Sequence, residues 1–294
     1  MILATYSTQT DPEKKPGIVK NGRVHALPFP DMQAVIRAGI EEVERSVASA
    51  PIHIAHVTFH APLRPTTLRD GYAFEQHVRT ANANRGREVP SEWYKFPVFY
   101  FTNPNSIYGP NDEIPYPAYT QELDYELEIA AVIGKGGRDI RPEEAARHIF
   151  GFTIFNDWSA RDVQREEMIV GLGPAKGKDF ASSLGPYLVT IDELAERATA
   201  RAGVFDMTMI ARINGNEMSR GNLKDIYWSF GEIIARASEG VDLQPGDVIG
   251  SGTVGTGCLL ELTRRQGPWL RPGDTVELEI EGIGILRNQV GPHP

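Results

Sequence analysis

The segment Asp124-Tyr125-Glu126-Leu127-Glu128 sets two glutamates two residues apart, at the start of an apolar run that continues as IAAVIG. In a strand, side chains alternate, so Glu126 and Glu128 share one face while Tyr125, Leu127 and Ile129 share the other. Two carboxylates side by side repel unless a cation or solvent lies between them. The plain alternative is a solvated strand face, which is how Glu277, Glu279 and Glu281 read further along the chain. Asp157 follows the apolar run GFTIFN and precedes a helical pattern, a junction from which a side chain can be aimed into a cleft. Hard cations such as Mg²⁺ and Ca²⁺ take several carboxylate oxygens from separate segments, and Asp157 could supply one. Otherwise it is a cap for the helix that follows.

Asp70 and His77 form a second carboxylate–histidine pair. If a helix begins at Asp70, seven residues bring the chain nearly back to one face, with Tyr72 pointing away. If Tyr72 belongs to the same site, residues 70–72 must be extended and the helix must begin later. Histidine is the usual base at neutral pH, although a surface helix position is the ordinary place for one. Other motifs fail. GLGPAKGKD around Lys178 is reminiscent of a phosphate loop, but Leu172 stands where glycine is required and Asp179 where Ser or Thr should be. The glycines of GKGGRD have the wrong spacing for a dinucleotide site. His53, His56 and His60 fit neither one strand face nor the paired-ligand helix motif of a zinc site.

The elements that must position these residues are those of a loop-rich globular chain. It has 294 residues, 41% of them hydrophobic, enough for a full core. The net charge of -9 argues against a nucleic-acid partner and means that an anionic substrate must be met by a metal or by placed Arg and Lys. Cys258 is the single cysteine, so no intrachain disulfide forms, and a reducing cytoplasm is the simplest home. The opening residues lack the order of a signal peptide, and no run approaches the roughly 18 apolar residues of a membrane span. A soluble protein with no membrane partner is expected.

Along the chain, Asn21-Gly22 between apolar alternations signals a hairpin. Pro30-Asp31 opens a helical pattern from Met32 to Ala48, and PIHIAHVTFHAPLRP reads as an extended connector. A boundary near residue 62 would divide a small N-terminal module (1–62) from a main domain (63–294). In the latter, YELEIAAVIG, GFTIFND, PYLVTI, FDMTMIARING and TVELEIEGIGILRNQV read as strands. Pro142–His148, Ala160–Glu167 and Ile226–Ala237 read as helices. Strands outnumber helices without regular βαβ alternation, which predicts a β-rich α+β fold.

Three stretches together, LDYELEIAAVIG, HIFGFTIFNDWSARDVQ and GKDFASSLGPYLVT, resemble the fumarylacetoacetate hydrolase family, as does the ending GDVIGSGTVGTG…LRPGDTVELEIEGIGILRN. The resemblance implies a mixed β-sheet roll with a small N-terminal β module, and a homodimer. It implies metal ligation of Mg²⁺, Mn²⁺ or Ca²⁺ by Asp70, Glu126, Glu128 and Asp157. It matches His77 to a water-activating histidine and Glu261 to the glutamate that holds it. Lys178 and Gln164 resemble groups that steady a developing anion. Tyr72, Tyr100, Arg161, Gln164 and Thr253 resemble substrate contacts. Two departures stand out: Met168 replaces a substrate-side tyrosine, and the arginine that grips a substrate carboxylate has no in-register match, though Arg85 and Arg87 lie close. The implied activity is metal-dependent hydrolysis of a carbon–carbon bond in a 1,3-diketone acid such as an acylpyruvate. The alternative is a lyase or isomerase of the same superfamily, acting on a small oxo-acid as decarboxylase, dehydratase or tautomerase.

Overall fold

The computed structural model describes residues 1–46 and 51–294. Its centre is the strand Leu127–Ile133, buried along its whole length, as an uninterrupted apolar run requires. This strand lies between Ile149–Asp157 and Val248–Gly250 in a mixed sheet of twelve strands. Beyond Val248–Gly250 come Leu68–Gly71 and then Phe99–Thr102; beyond Ile149–Asp157 come Ser182–Thr190 and Ile2–Thr8. Strand content exceeds helix, 33% against 21%, and the fold is the expected β-rich one.

The two faces of the sheet are covered differently. Ile129, Ala131 and Ile133 pack toward a second, five-stranded sheet through Met209, Ala211, Leu278 and Leu286. Ala130 and Val132 face the other way, onto Val35, Ile36 and Val43 of two short helices. Those helices replace the single one expected from Met32 to Ala48. Asp31 caps α1 (Met32–Ala38), Gly39 at φ 83° breaks it, and α2 (Ile40–Arg45) follows. The last part of that expected helix lies outside the described residues.

Strand pairing crosses the boundary expected near residue 62: Ile2–Thr8 pairs with Lys15–Lys20 on one edge, and with both Val57–His60 and Ser182–Thr190 on the other. The stretch read as a connector holds two short strands, Ile52–His53 and Val57–His60. The hairpin joins Lys15–Lys20 to Arg23–Ala26, with Asn21 and Gly22 both at positive φ as a type I′ turn demands. No helix among the described residues is long and apolar enough to cross a membrane.

Three helix boundaries moved. Only Ala145–His148 of the expected 142–148 helix is helical, as a 3-10 turn. The one expected at 160–167 is α4 (Arg161–Val170), extended to a left-handed Gly171. The one expected from Ile226 is α5 (Phe230–Ser238), because Ser229 and Glu232 form a capping box that fixes its start. Ser229→Ala removes the acceptor for the Glu232 amide while leaving the buried face of α5 intact. A loss of about 1 kcal/mol is expected in urea unfolding, with an unchanged m value.

Candidate active site

Side-chain alternation in neighbouring strands explains how carboxylates far apart in sequence meet. Glu128 shares its strand face with Ala130 and Val132, Asp157 shares one with Phe155, and Asp70 with Leu68. All of these apolar residues belong to the same core cluster, so the three acids emerge on one side at one end of the sheet. Glu126, two residues before Glu128, is aligned by its backbone N–H, which donates to Asn156 Oδ1 at 2.9 Å. Oxygens of Asp70, Glu126 and Asp157 lie within 4.8 Å of one another. Glu128 stands beside Asp70, and the Gly252 N–H donates to both carboxylates at 3.1 Å. Residue 252 must be glycine: its φ is 78°, and a Cβ would meet the Gly71 carbonyl oxygen at 2.7 Å.

Two cations are buried with these acids. Lys178 Nζ donates to Glu126 Oε2 at 2.6 Å and to Asp157 Oδ2 at 2.7 Å. Arg161 donates from Nε to Asp124 at 2.8 Å, and from its two terminal nitrogens to Glu126 at 2.7 Å and Gln164 at 3.0 Å. Burial pushes the Glu126 carboxyl up, but Lys178 and Arg161 together outweigh that and hold it well below the usual carboxylate range. Asp70 lacks such partners; burial and the neighbouring Asp157 charge push it up to about 7. Burial, with Asp70 and Glu126 close by, raises Glu128 as well. Five buried carboxylates, Asp70, Asp124, Glu126, Glu128 and Asp157, thus face two buried cations. Asp157 Oδ1 has no hydrogen-bond partner among the described residues. An excess of buried negative charge, an all-oxygen donor set and an unpaired carboxylate oxygen fit a hard divalent cation.

The histidine comes from α3 (Glu75–Ala83). Residues 68–71 are extended and α3 starts only at Glu75, so of the two arrangements open at Asp70–His77 the chain adopts the one with a later helix. Tyr72 therefore stays with the site, edge-on to the His77 ring at 5.3 Å. His77 Nδ1 lies 2.7 Å from Glu261 Oε2, and both side chains are buried. Glu261 sits in the four-residue helix α6 (Leu259–Leu262), where Cys258 Sγ also approaches it at 3.6 Å. His77, Cys258 and Glu261 form a second close group. Burial and the Asp124 charge push the Cys258 thiol well up, however, which keeps it protonated and a poor metal ligand.

One cavity of about 260 Å³ meets both groups, the first through Asp70 and Glu126 and the second through His77, with Glu128 and Lys178 also in its lining. Tyr72, Tyr100, Arg161, Gln164 and Thr253 line it too. Several of these contacts are already engaged by protein. The Tyr100 hydroxyl donates to Asp157, and Thr253 Oγ1 donates to Glu128 at 3.3 Å. The Tyr72 hydroxyl makes no hydrogen bond among the described residues, and burial pushes it up to about 12. Asp157 is no helix cap, since α4 is preceded by Ala160 without a side-chain cap bond. Arg161 does not pair with Asp162, which instead accepts from Thr120 Oγ1 and the Gln121 N–H. Glu277, Glu279 and Glu281 are half-buried or exposed and lie against Arg287, Arg212 and Arg197. Sequence reasoning missed Asp124, although it continues the two-residue spacing of Glu126 and Glu128. It also missed Gly252, which lies next to Thr253 and carries no chemical side chain.

Residues 66–291 match the family described as fumarylacetoacetate (FAA) hydrolase C-terminal. The chain is 35% identical over 241 residues to the mitochondrial oxaloacetate tautomerase FAHD2A of Homo sapiens, covering 80% of this chain and 70% of that one. It is 30% identical over 284 residues to a 2,4-didehydro-3-deoxy-L-rhamnonate hydrolase of Sphingomonas sp. (strain SKA58), covering 95% and 92%. Among solved structures, a fumarylacetoacetate hydrolase from Exiguobacterium antarcticum superimposes with a TM-score of 0.79 at 30% identity, covering 99% of this chain and all of that one.

Lys178→Met strips Glu126 and Asp157 of a shared cation while keeping an unbranched side chain one atom shorter. In EDTA the variant is expected to lose about 3–5 kcal/mol in urea unfolding. Saturating Mg²⁺ or Mn²⁺ should then stabilise the variant, by about 2.7 kcal/mol at a hundred times Kd. Stability equal to the unaltered protein in EDTA would mean that these two acids are neutral there.

Proposed function

The chain belongs to the fumarylacetoacetate hydrolase family, and from that premise we propose that its cavity holds a divalent cation and cleaves a carbon–carbon bond of a 1,3-diketone acid by hydrolysis. The observation that carries the reading is the buried His77–Glu261 pair, opening into the same cavity as the carboxylate cluster. Asp70, Glu126, Glu128 and Asp157 are the residues that would hold the cation. Once bound, a divalent cation supplies Lewis-acid polarisation of the oxygens of a diketo or enol substrate.

The rest falls to the chain's own groups. With Glu261 accepting the Nδ1 proton, the His77 tautomer is fixed and Nε2 is left as the base toward the cavity. Nε2 takes a proton from water, and the hydroxide attacks the substrate carbonyl carbon. Lys178 uses two of its three N–H donors on Glu126 and Asp157, so one remains for the oxyanion. Arg161 donates to Gln164 Oε1, which turns the Gln164 amide N–H groups toward the cavity. Breakage of the carbon–carbon bond leaves a carbanion equivalent, which recovers the proton held on His77. Arg161 commits three of its five N–H donors to Asp124, Glu126 and Gln164, so it orients those groups and keeps two donors at the cavity it lines.

Two further residues of the cavity lining define the substrate. Met168 lines the cavity in place of a phenol, and Arg85 lines it without an acidic partner among the described residues. A thioether offers no phenolic hydrogen bond, while an unpaired guanidinium suits a carboxylate. The fit is to a diacid whose second carboxylate reaches past an apolar wall.

A second reading is tautomerisation of an oxo-acid. It is supported by the tautomerase named at 35% identity, and it needs the same pair to move a proton between carbon and oxygen without admitting water. Incubation with Mg²⁺ or Mn²⁺ and acylpyruvates, fumarylacetoacetate or oxaloacetate separates the two readings, with products followed by NMR. Hydrolysis releases two acids; tautomerisation keeps the carbon skeleton whole. His77→Ala should lower kcat about 10²–10⁴-fold and leave metal affinity unchanged by calorimetry. Full turnover by that variant would remove His77 as the base. Arg85→Met should raise KM for diacids about tenfold and leave monoacid substrates unaffected.

A further inference from the structure

We infer that Asp124, neither a cation ligand nor a member of the histidine pair, is a positioning residue that fastens the helix bearing Glu261 to the carboxylate cluster and so sets where His77 points. Its significance for turnover rests on the reading of His77 as the base. Asp124 is fully buried at the end of the two-residue strand Leu123–Asp124, which pairs with Ser159–Ala160 beside Asp157. Its oxygens accept on both sides. Oδ1 takes the Leu259 N–H at 2.9 Å, and Oδ2 takes the Leu260 N–H at 3.0 Å together with Arg161 Nε at 2.8 Å.

Leu259 and Leu260 are the first two residues of α6, whose opening amides have no partner within the helix. Cys258, just before them, contributes no side-chain cap bond. A helix of one turn does not hold itself together, because nucleation costs more than a single turn returns. Asp124 therefore serves as the missing cap from a distant part of the chain. Glu261 follows directly after the two capped residues and accepts from His77 Nδ1. Asp124 Oδ2 also holds Arg161, which binds Glu126 and Gln164. One buried acid thus bridges the element that orients the imidazole and the cluster that would hold the cation. Groups one step removed from a reacting centre typically alter activity about 10–100-fold when lost, through displacement of what they hold.

Asp124→Asn keeps the shape and removes the function. Its neighbours are all N–H donors, so an amide must turn its own N–H₂ against an α6 amide either way: against Leu259 and Tyr125 at the Oδ1 position, or against Leu260 and Arg161 at Oδ2. The test pairs kinetics at saturating Mn²⁺ with proton NMR of the low-field His77 Nδ1–H signal, assigned by its absence in His77→Gln. The expected result is a kcat loss of about 10–100-fold, KM within about twofold, and a His77 signal shifted or lost. A merely structural role would lower Tm while leaving kcat and the signal of the folded protein in place, and that result overturns the proposal. The NMR readout needs no turnover. A signal lost in Asp124→Asn when the unaltered protein acts on no oxo-acid upholds the positioning and sinks the function reading alone. Should Asp124→Asn not fold, Arg161→Lys keeps a cation near Glu126 while releasing Nε from Asp124. An unmoved His77 signal in that variant also overturns the proposal.

Discussion

Burying several like charges at one end of a sheet is the constraint from which the rest of this structure follows. Oxygens of Asp70, Glu126 and Asp157 are held within 4.8 Å of each other. At that spacing two full charges repel by about 3 kcal/mol for an effective dielectric near 20. The chain answers with whatever donors its neighbouring segments can supply. Lys178 lies between Glu126 and Asp157, Arg161 lies against Glu126, and the Gly252 amide is shared by Asp70 and Glu128. The compensation is uneven. Glu126 is held fully ionised, while Asp70 and Glu128 are pushed toward the protonated form by burial and by their neighbours. That residual imbalance is local frustration of the kind that stable folds otherwise avoid, and it is tolerable because the surrounding sheet over-determines the backbone.

The sheet does this through position. Asp157, Glu128 and Asp70 sit on strands consecutive with the buried Val248–Gly250 strand, so hydrogen-bonded register fixes their separation. Gly250 faces Asp70 across that register, and a side chain there would run into Asp70 Oδ1. The histidine and glutamate come instead from helices outside the sheet. The cluster is rigid because of strand pairing, whereas the His77–Glu261 pair is only as rigid as the contacts that dock α3 and α6.

Much of this was legible in the residues, and the limits have physical causes. Glu126 and Glu128 read as a shared face from their spacing alone, yet Glu277 and Glu279 have the same spacing and a different fate. The difference is sheet environment: Leu127–Ile133 is covered on both faces, whereas Thr275–Ile280 alternates between buried and half-exposed positions. Nothing local encodes that difference. The start of α3 was open because Asp70 is itself a residue that can cap a helix, and only pairing of Leu68–Gly71 with Val248–Gly250 and Phe99–Thr102 keeps Asp70 in a strand. The single helix expected from Met32 was interrupted by Gly39 at a positive φ, a preference visible in the residue but overridden by the apolar period around it. The contacts of Asp124 with Leu259, Leu260 and Arg161 span distant segments, and no short-range pattern announces them.

The charged cluster and the His77–Glu261 pair are built on different elements, and relatives of this scaffold are named for hydrolysis and for tautomerisation. Both reactions need an oxo-acid held against stabilising charge and a base that can return its proton. What differs is whether water reaches the carbonyl carbon, and the cavity wall is the part of the site that borders that space. Here the wall includes the apolar side chains of Val98, Met168 and Leu260. Changing these apolar residues alters solvent access and substrate length without disturbing the strand register that fixes Asp70, Glu128 and Asp157. Substituting a cluster residue, by contrast, changes the charge balance for every member at once. The charged cluster is therefore carried by the sheet and the His77–Glu261 pair by helices, while Arg85 and Met168 belong to the cavity lining that can vary apart from both.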